Sequence, residues 1–262
     1  MWTSRQLAER TAQAITAAAQ EQLLVVVLRM IPRLLRHPVW RGANPRQGAG
    51  QGVLLIPGFG FGDRSLSLTS RWLRARGYRP IGARIGINVA CTSDLVARIE
   101  RRLETHAEAT GRRVVVLGQS RGGWLGRLVA VRRPDLVRGL VMLGSPVADP
   151  LGANPKAVRT AETLARLSDL GLPGLLDRDC FAGPCFQRNK AELTAALPED
   201  VPALTMYSRA DAVIPWQLCL DPYADHAEVR SSHTGMALDP ELYTRLEPTL
   251  AAWSAEPGSG AR

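Results

Sequence analysis

Long apolar runs are scarce in this sequence. The apolar run Leu23–Leu28 is interrupted by Arg29, whereas a membrane span needs about 20 apolar residues. Glu9 and Glu21 precede the run and no small-residue cleavage site is clear, which argues against a secretory signal peptide. We therefore expect neither a transmembrane helix nor a signal peptide, and this favours a cytoplasmic or peripherally membrane-associated protein.

Lysine and aromatic residues are also rare. Lysine occurs only at Lys156 and Lys190, and aromatic residues make up 5% of the chain, although the formal net charge is +9. The basic residues are nearly all arginine and are scattered, with few aromatic residues between them, a pattern that argues against nucleic-acid binding. The excess charge would suit an anionic membrane surface or an acidic substrate, but a solvated arginine-rich surface is the simpler interpretation.

Cysteine is limited to Cys91, Cys180, Cys185 and Cys219, and four thiols allow three complete pairings. Cys180 and Cys185 flank Phe-Ala-Gly-Pro, a turn-like loop that could close a small disulfide. The same pair lacks the His and Cys partners of a zinc site at the usual spacing. We interpret the cysteines as structural, paired or free, and expect no metal or organic cofactor.

The most informative stretch is residues 113–123. Val114–Leu117 is a short run rich in β-branched residues, typical of a strand that is buried on both faces of a parallel sheet. The following GQSRG, from Gly118 to Gly122, fits the G-x-S-x-G pattern, in which Ser120 sits at a sharp strand-to-helix turn that larger flanking residues would crowd. The alternative is an ordinary glycine-rich turn with an N-cap serine.

Strand and helix signals alternate around this motif. The alternation predicts a mostly parallel sheet of about six strands with helices on both faces. Predicted strands lie at 53–56, 78–85, 114–117, 137–143, 203–208 and 227–230, and predicted helices at 65–76, 93–109 and 240–253.

Two segments depart from the alternation. Residues 149–200 carry helical pieces and a loop rich in Gly, Pro and Cys, and we expect this insertion to cover the carboxyl ends of the strands as a lid. Residues 1–40 form a predicted N-terminal helical segment with good helix formers from Gln6 to Gln22, which packs on the domain or lies on a membrane surface. Residues 256–262 read as a frayed tail.

Ser120, Asp211 and His233 each follow a predicted strand. Because parallel strands end at one edge of a sheet, the three side chains can converge there. A serine hydroxyl needs an imidazole to take its proton, and the imidazole needs a carboxylate to hold its tautomer. Asp221 and Asp225 are rival acids, and His37, His106 and His226 are rival bases whose positions fit less well.

These residues resemble the α/β-hydrolases of the bacterial lipase and esterase group. The similarity covers about residues 50–255, and the matching motifs are Ile56–Gly60, Gly118–Gly123, Tyr207–Asp211 and Ser232–Met236. Two positions depart from the usual pattern: Pro57 stands where these lipases carry histidine, and Gln119 stands where they carry histidine before the serine. Neither supplies the nucleophile or the base, so the departures bear on the substrate class.

The resemblance implies an α/β-hydrolase domain at 41–262 and a Ser120–His233–Asp211 triad, with backbone amides of Phe59 and Arg121 as the oxyanion hole. It implies a serine hydrolase acting on a small-molecule acyl ester of hydrophobic character, with no nucleic-acid partner and with peripheral membrane contact as an open alternative. The rivals are a thioesterase, amidase or acyltransferase on the same triad, and a non-catalytic fold that binds a hydrophobic ligand or membrane. Candidate walls for an acyl chain are Phe59, Phe61, Leu172, Leu175 and Trp216.

Overall fold

A computed structural model describes residues 26–255 of the 262-residue chain. The predicted helix at Gln6–Gln22 and the predicted tail at 256–262 lie outside these residues. No helix within 26–255 combines the length and the apolar character that crossing a bilayer requires.

Six parallel strands form one sheet in the order β2-β1-β3-β4-β5-β6. This confirms the predicted fold class, and it places the carboxyl ends of all six strands along one edge. The strands are β1 (Gly52–Ile56), β2 (Arg79–Gly82), β3 (Val114–Gln119), β4 (Val137–Leu143), β5 (Ala203–Tyr207) and β6 (Asp225–Glu228).

Helices cover both faces of the sheet. They are α1 (Ile31–Arg36), α2 (Pro38–Arg41), α3 (Ser67–Ala75), α4 (Thr92–Thr110), α5 (Arg121–Arg132), α6 (Pro155–Asp169), α7 (Pro184–Leu193) and α8 (Pro240–Ser254).

Alternate residues of the strands supply two separate core layers. In β1, Leu54 and Ile56 pack with α4 and α5, whereas Val53 and Leu55 pack with α3 and α8. Both sets are buried because the sheet is covered on both faces, so β1 reads as a continuous apolar run. The period of two therefore divides one apolar sequence between two cores.

The largest shifts from the sequence prediction occur at the ends of elements. β2 is shorter than predicted, and β6 begins at Asp225 because its register pairs Tyr207 with Glu228. Helix α7 in the insertion begins at Pro184, a residue whose fixed φ suits the first turn of a helix.

Residues 31–41 pack against the domain. Leu34 and Val39 are buried in the core layer formed with α3 and α8. The Trp72 indole donates a hydrogen bond from Nε1 to the Val39 carbonyl at 2.9 Å. This contact fixes the entry of the chain onto the face that α3 covers.

Helix α5 approaches the sheet so closely that it has no space for side chains at two positions. A Cβ at Gly122 would lie 2.3 Å from the Ile56 carbonyl oxygen, and one at Gly126 would lie 2.9 Å from Val116 Cγ1. The Ile56 contact is with backbone, which cannot move aside without shifting β1. The glycines therefore set the distance between α5 and the sheet.

Gly122→Ala tests this packing. Alanine normally favours a helix over glycine by about 1 kcal/mol, but here we expect the clash to lower the free energy of unfolding by about 3 kcal/mol, as for an overpacked core. Gly111→Ala is the control, because Gly111 has a positive φ but open space around it, and it should lose only about 1 kcal/mol. Urea unfolding measures both, and a Gly122→Ala protein as stable as wild type would contradict the argument.

Candidate active site

Ser120 lies in a strained turn at the carboxyl end of β3. Its φ of 53° and ψ of −125° are unusual for a residue with a side chain, and the Ser120 amide donates to the Leu143 carbonyl at 2.7 Å. The chain doubles back so tightly that a Cβ at Gly118 would lie 2.2 Å from the Gly122 carbonyl oxygen. Glycine at both flanking positions thus permits the turn, as the sequence motif predicts.

The loop after β1 passes beside this serine. A Cβ at Gly58 would lie 3.4 Å from Ser120 Cβ. Within residues 26–255, the amides of Phe59 and Arg121 have no hydrogen-bond acceptor, since Phe59 lies in the loop and Arg121 begins α5. Two unpaired N–H groups near one hydroxyl are the kind of donors that a developing oxyanion requires.

Asp211 and His233 form a hydrogen-bonded pair at the same edge. The Nδ1 atom of His233 lies 2.6 Å from Oδ2 of Asp211, whose side chain is 1% exposed. The other carboxylate oxygen, Oδ1, accepts hydrogen bonds from the amides of Val213 and Ile214 at 2.8 and 2.9 Å. Asp211 is therefore held by the backbone on one side and holds the imidazole on the other.

Gln119 adds a link that the sequence did not reveal. Its side-chain Nε2 donates to the His233 carbonyl at 3.1 Å. The residue before Ser120 thereby ties the β3 turn to the loop that carries the imidazole. This departure from the lipase pattern replaces a histidine with an amide that bonds to backbone.

The rival acids lie in other settings. Asp221 is buried against Arg127, with Oδ2 2.5 Å from Nε and side chains 1% and 2% exposed. Asp225 is exposed and is the first residue of β6. It therefore lies at the amino ends of the strands, opposite the edge that carries Ser120. Of the three candidate acids, the structure pairs only Asp211 with His233.

The rival histidines each bond elsewhere. His37 caps α2 by accepting from the Val39 amide. His106 lies beneath β2, where its Nε2 is 2.8 Å from the Arg79 carbonyl oxygen, and burial lowers its pKa. His226 lies in β6 with its Nε2 2.8 Å from the Asp221 carbonyl oxygen. None of these three lines the cavity described next.

A cavity of about 910 Å³ opens over Ser120 and His233. The insertion, residues 149–200, supplies much of its wall, including Leu151, Leu176, Phe181, Phe186 and Leu193. Both lysines of the chain, Lys156 and Lys190, are exposed residues of this wall.

The predicted acyl-chain walls were partly wrong. Phe59 and Phe61 line the cavity, but Leu172, Leu175 and Trp216 do not. Trp216 instead stacks on Tyr207 with ring centroids 5.6 Å apart, and Leu172 is exposed. Apolar character alone did not distinguish residues that face the cavity from those that face away.

The Arg121 side chain hydrogen-bonds to a loop next to the site. It is buried, and its Nη2 donates to the Ala90 carbonyl at 2.8 Å and to Thr92 Oγ1 at 3.2 Å. Burial lowers the pKa of Arg121 to about 10, an effect that neighbouring cysteine thiols partly offset. Its guanidinium also lies 5.7 Å from the Phe59 ring centre, so it connects the loop after β1 to the loop before α4.

All four cysteines are free, so no disulfide closes the loop between Cys180 and Cys185. Cys180 and Cys185 instead gather with Cys91, their three sulfur atoms within 4.8 Å of one another. A hydrogen bond from the Cys180 thiol lowers the pKa of Cys91. Cys219 is buried apart from this cluster, and burial raises its pKa to about 12.

Comparison with known proteins gives structural but no sequence matches. No protein-family model matches the chain, and no curated protein matches it in sequence. The lipase BlEst2 of Bacillus licheniformis superposes with a TM-score of 0.57 at 12% identity over 78% of this chain and 92% of its own. Monoglyceride lipase of Saccharomyces cerevisiae gives a TM-score of 0.56 at 14% identity over 78% and 86%.

A third similar structure is that of an α/β-hydrolase enzyme. MGS-MChE2, an α/β-hydrolase enzyme from a sediment metagenome of the Mar Chica lagoon in Morocco, gives a TM-score of 0.52 at 20% identity, covering 76% of this chain and 90% of its own. Because these sequence identities are low, the structural similarity is evidence for the fold alone. Together with the six-stranded parallel sheet and the turn at Ser120, it shows that this chain has the α/β-hydrolase fold.

Proposed function

We propose that this protein hydrolyses carboxylic esters through a serine nucleophile. The observation that carries the proposal is the Asp211–His233 hydrogen bond of 2.6 Å at the edge of the cavity that the strained Ser120 also lines. A serine, a carboxylate and an imidazole in this chain order are the parts of a hydrolase triad. Their shared location is a stronger argument than the fold, because one fold hosts many functions.

The roles follow from the chemistry of each group. The Ser120 hydroxyl attacks the ester carbonyl while His233 accepts its proton, and Asp211 orients the imidazole and stabilises its charged form. The amides of Phe59 and Arg121 stabilise the oxyanion of the tetrahedral intermediate. His233 then returns the proton to the leaving alcohol, and water releases the acyl group from Ser120.

The cavity favours a hydrophobic acyl ester. Its wall carries several leucine and phenylalanine side chains from the insertion, and apolar walls with a few polar groups are typical of small-molecule sites. The similar structures include a lipase and a monoglyceride lipase. The proposal includes residues 149–200 as a lid that selects the substrate, and a division into an N-terminal segment at 1–40 and a hydrolase domain at 41–262.

Ser120→Ala should abolish turnover while the protein stays folded. Loss of a triad nucleophile costs on the order of a millionfold in rate, and a fluorophosphonate probe should label wild type but not this variant. Ser65→Ala is the matched control, because Ser65 also lines the cavity while its hydroxyl donates to the Gly62 carbonyl. Labelling of Ser120→Ala, or activity above about a hundredth of wild type, would exclude Ser120 as the nucleophile.

Comparison of p-nitrophenyl esters with acyl thioesters tests the bond that is cleaved. The proposal expects higher kcat/KM for the esters. A preference for thioesters would assign the site to the thioesterase alternative, and a chain that hydrolyses neither and resists the probe would be a binding protein.

The acid is tested by three amide substitutions. Asp211→Asn should lower kcat about ten-thousandfold, because an amide favours the wrong imidazole tautomer. Asp221→Asn should instead lower the free energy of unfolding by about 3–5 kcal/mol, since it leaves Arg127 buried without its partner, while the folded fraction keeps activity within about tenfold of wild type. Asp225→Asn should change neither property. Rates and melting curves together separate these outcomes, and near-normal activity in Asp211→Asn alongside collapse of activity in either other folded variant would reject Asp211.

Phe181→Ala tests the insertion as a selector of substrate. Removing a ring from the cavity wall should shift the ratio of kcat/KM for long and short acyl esters by at least about tenfold, the scale of a changed hydrophobic pocket. Leu172→Ala, in the same insertion but outside the wall, should leave the ratio unchanged. Equal profiles for wild type and Phe181→Ala would make this part of the insertion a bystander.

A further inference from the structure

Three thiols from separate parts of the chain meet beside the cavity. Cys91 precedes α4, Cys180 ends a short turn of 3₁₀-helix, and Cys185 lies in the first turn of α7. Their sulfur atoms all lie within 4.8 Å of one another, and the sulfurs of Cys91 and Cys185 are 3.8 Å apart. The proposed ester hydrolysis uses none of these groups.

The spacing suits a shared metal ion. Sulfurs bound to one zinc ion at about 2.3 Å, in tetrahedral geometry, lie about 3.8 Å from one another. A disulfide would require a sulfur–sulfur distance of about 2.05 Å. The distance of 3.8 Å between the sulfurs of Cys91 and Cys185 therefore matches that of two ligands of one ion, and these two sulfurs need not move closer to bind it.

Polar groups around the sulfurs would orient them as thiolates. Cys91 Sγ lies 3.8 Å from Cys185 Sγ. Cys185 Sγ lies 3.2 Å from the Ser93 hydroxyl and 3.4 Å from the Asn189 amide nitrogen. Such outer hydrogen bonds fix ligand geometry in metal sites and support the negative charge on sulfur.

Charge balance also fits. Three thiolates around a divalent ion leave a net charge of −1, and the buried Arg121 guanidinium, which the three thiols influence electrostatically, supplies +1. A buried charge is costly unless it is paired. Within residues 26–255, the Arg121 side chain hydrogen-bonds to neutral oxygens. A metal–thiolate centre would give it an anionic partner.

We propose that Cys91, Cys180 and Cys185 form a binding site for a thiophilic divalent ion of the zinc type. Binding displaces the thiol protons to solvent, and three protein ligands leave a fourth position for water. Cys91 belongs to the loop that Arg121 braces, whereas Cys180 and Cys185 belong to the insertion. The ion thus ties the insertion to the sheet edge, independently of whether the protein hydrolyses esters.

Cobalt titration of the reduced full chain tests the site, because Co²⁺ reports thiolate ligands by charge-transfer absorption. Under anaerobic conditions wild type should bind one equivalent of Co²⁺, which Zn²⁺ displaces, and its Tm should rise. Cys91→Ser, Cys180→Ser and Cys185→Ser should each weaken binding by more than the roughly 10- to 100-fold typical of outer-sphere changes. Cys219→Ser is the matched control and should keep the wild-type spectrum and stoichiometry.

A second measurement serves if a serine variant fails to fold. In wild type, Zn²⁺ should protect Cys91 from alkylation by iodoacetamide, as read from peptide masses. Equal alkylation with and without Zn²⁺ would overturn the proposal. The proposal would also be overturned if reduced wild type bound no more Co²⁺ than folded Cys91→Ser. It would be overturned, too, if Cys91 formed a disulfide on oxidation while the reduced protein did not bind Co²⁺.

Discussion

The close backbone approach at Ser120 is the constraint from which the rest of the site follows. The residue keeps its positive φ because its amide is bonded to β4 and because glycines leave room for the chain to reverse. Strain of this kind, on the order of 1–3 kcal/mol, persists only where surrounding structure enforces it. Here β1, β3 and β4 together hold Ser120 in this conformation. Its hydroxyl therefore lies at the edge of the sheet where β5 and β6 also end.

Arg121, next to the proposed nucleophile, makes several structural contacts at once. Its amide is a proposed donor to the oxyanion, its side chain bonds to the loop before α4, and its guanidinium lies 5.7 Å from the Phe59 ring centre. A basic residue directly after the serine looks incidental in the sequence. In the fold it is a buried residue that connects two loops, and the thiols of Cys91, Cys180 and Cys185 act on its guanidinium electrostatically.

Sequence patterns predicted those features that follow from the order and direction of the strands. The apolar runs identified the sheet, with β4 found at its observed bounds, Val137–Leu143, and the ends of parallel strands brought Asp211 to His233. The thiol cluster, the Gln119 link and the true cavity walls were not predictable in this way. They depend on the path of the insertion and on side-chain directions, which neither a period of two nor a period of 3.6 encodes.

The scarcity of lysine acquires a practical meaning once the cavity is known. Lys156 and Lys190, the only lysines in the chain, both lie on the cavity wall. Amine-directed coupling, which scatters over the surface of most proteins, would here reach this one wall besides the N-terminal amine. A dye or a solid support attached through lysine would therefore sit beside the cavity in a nearly uniform orientation.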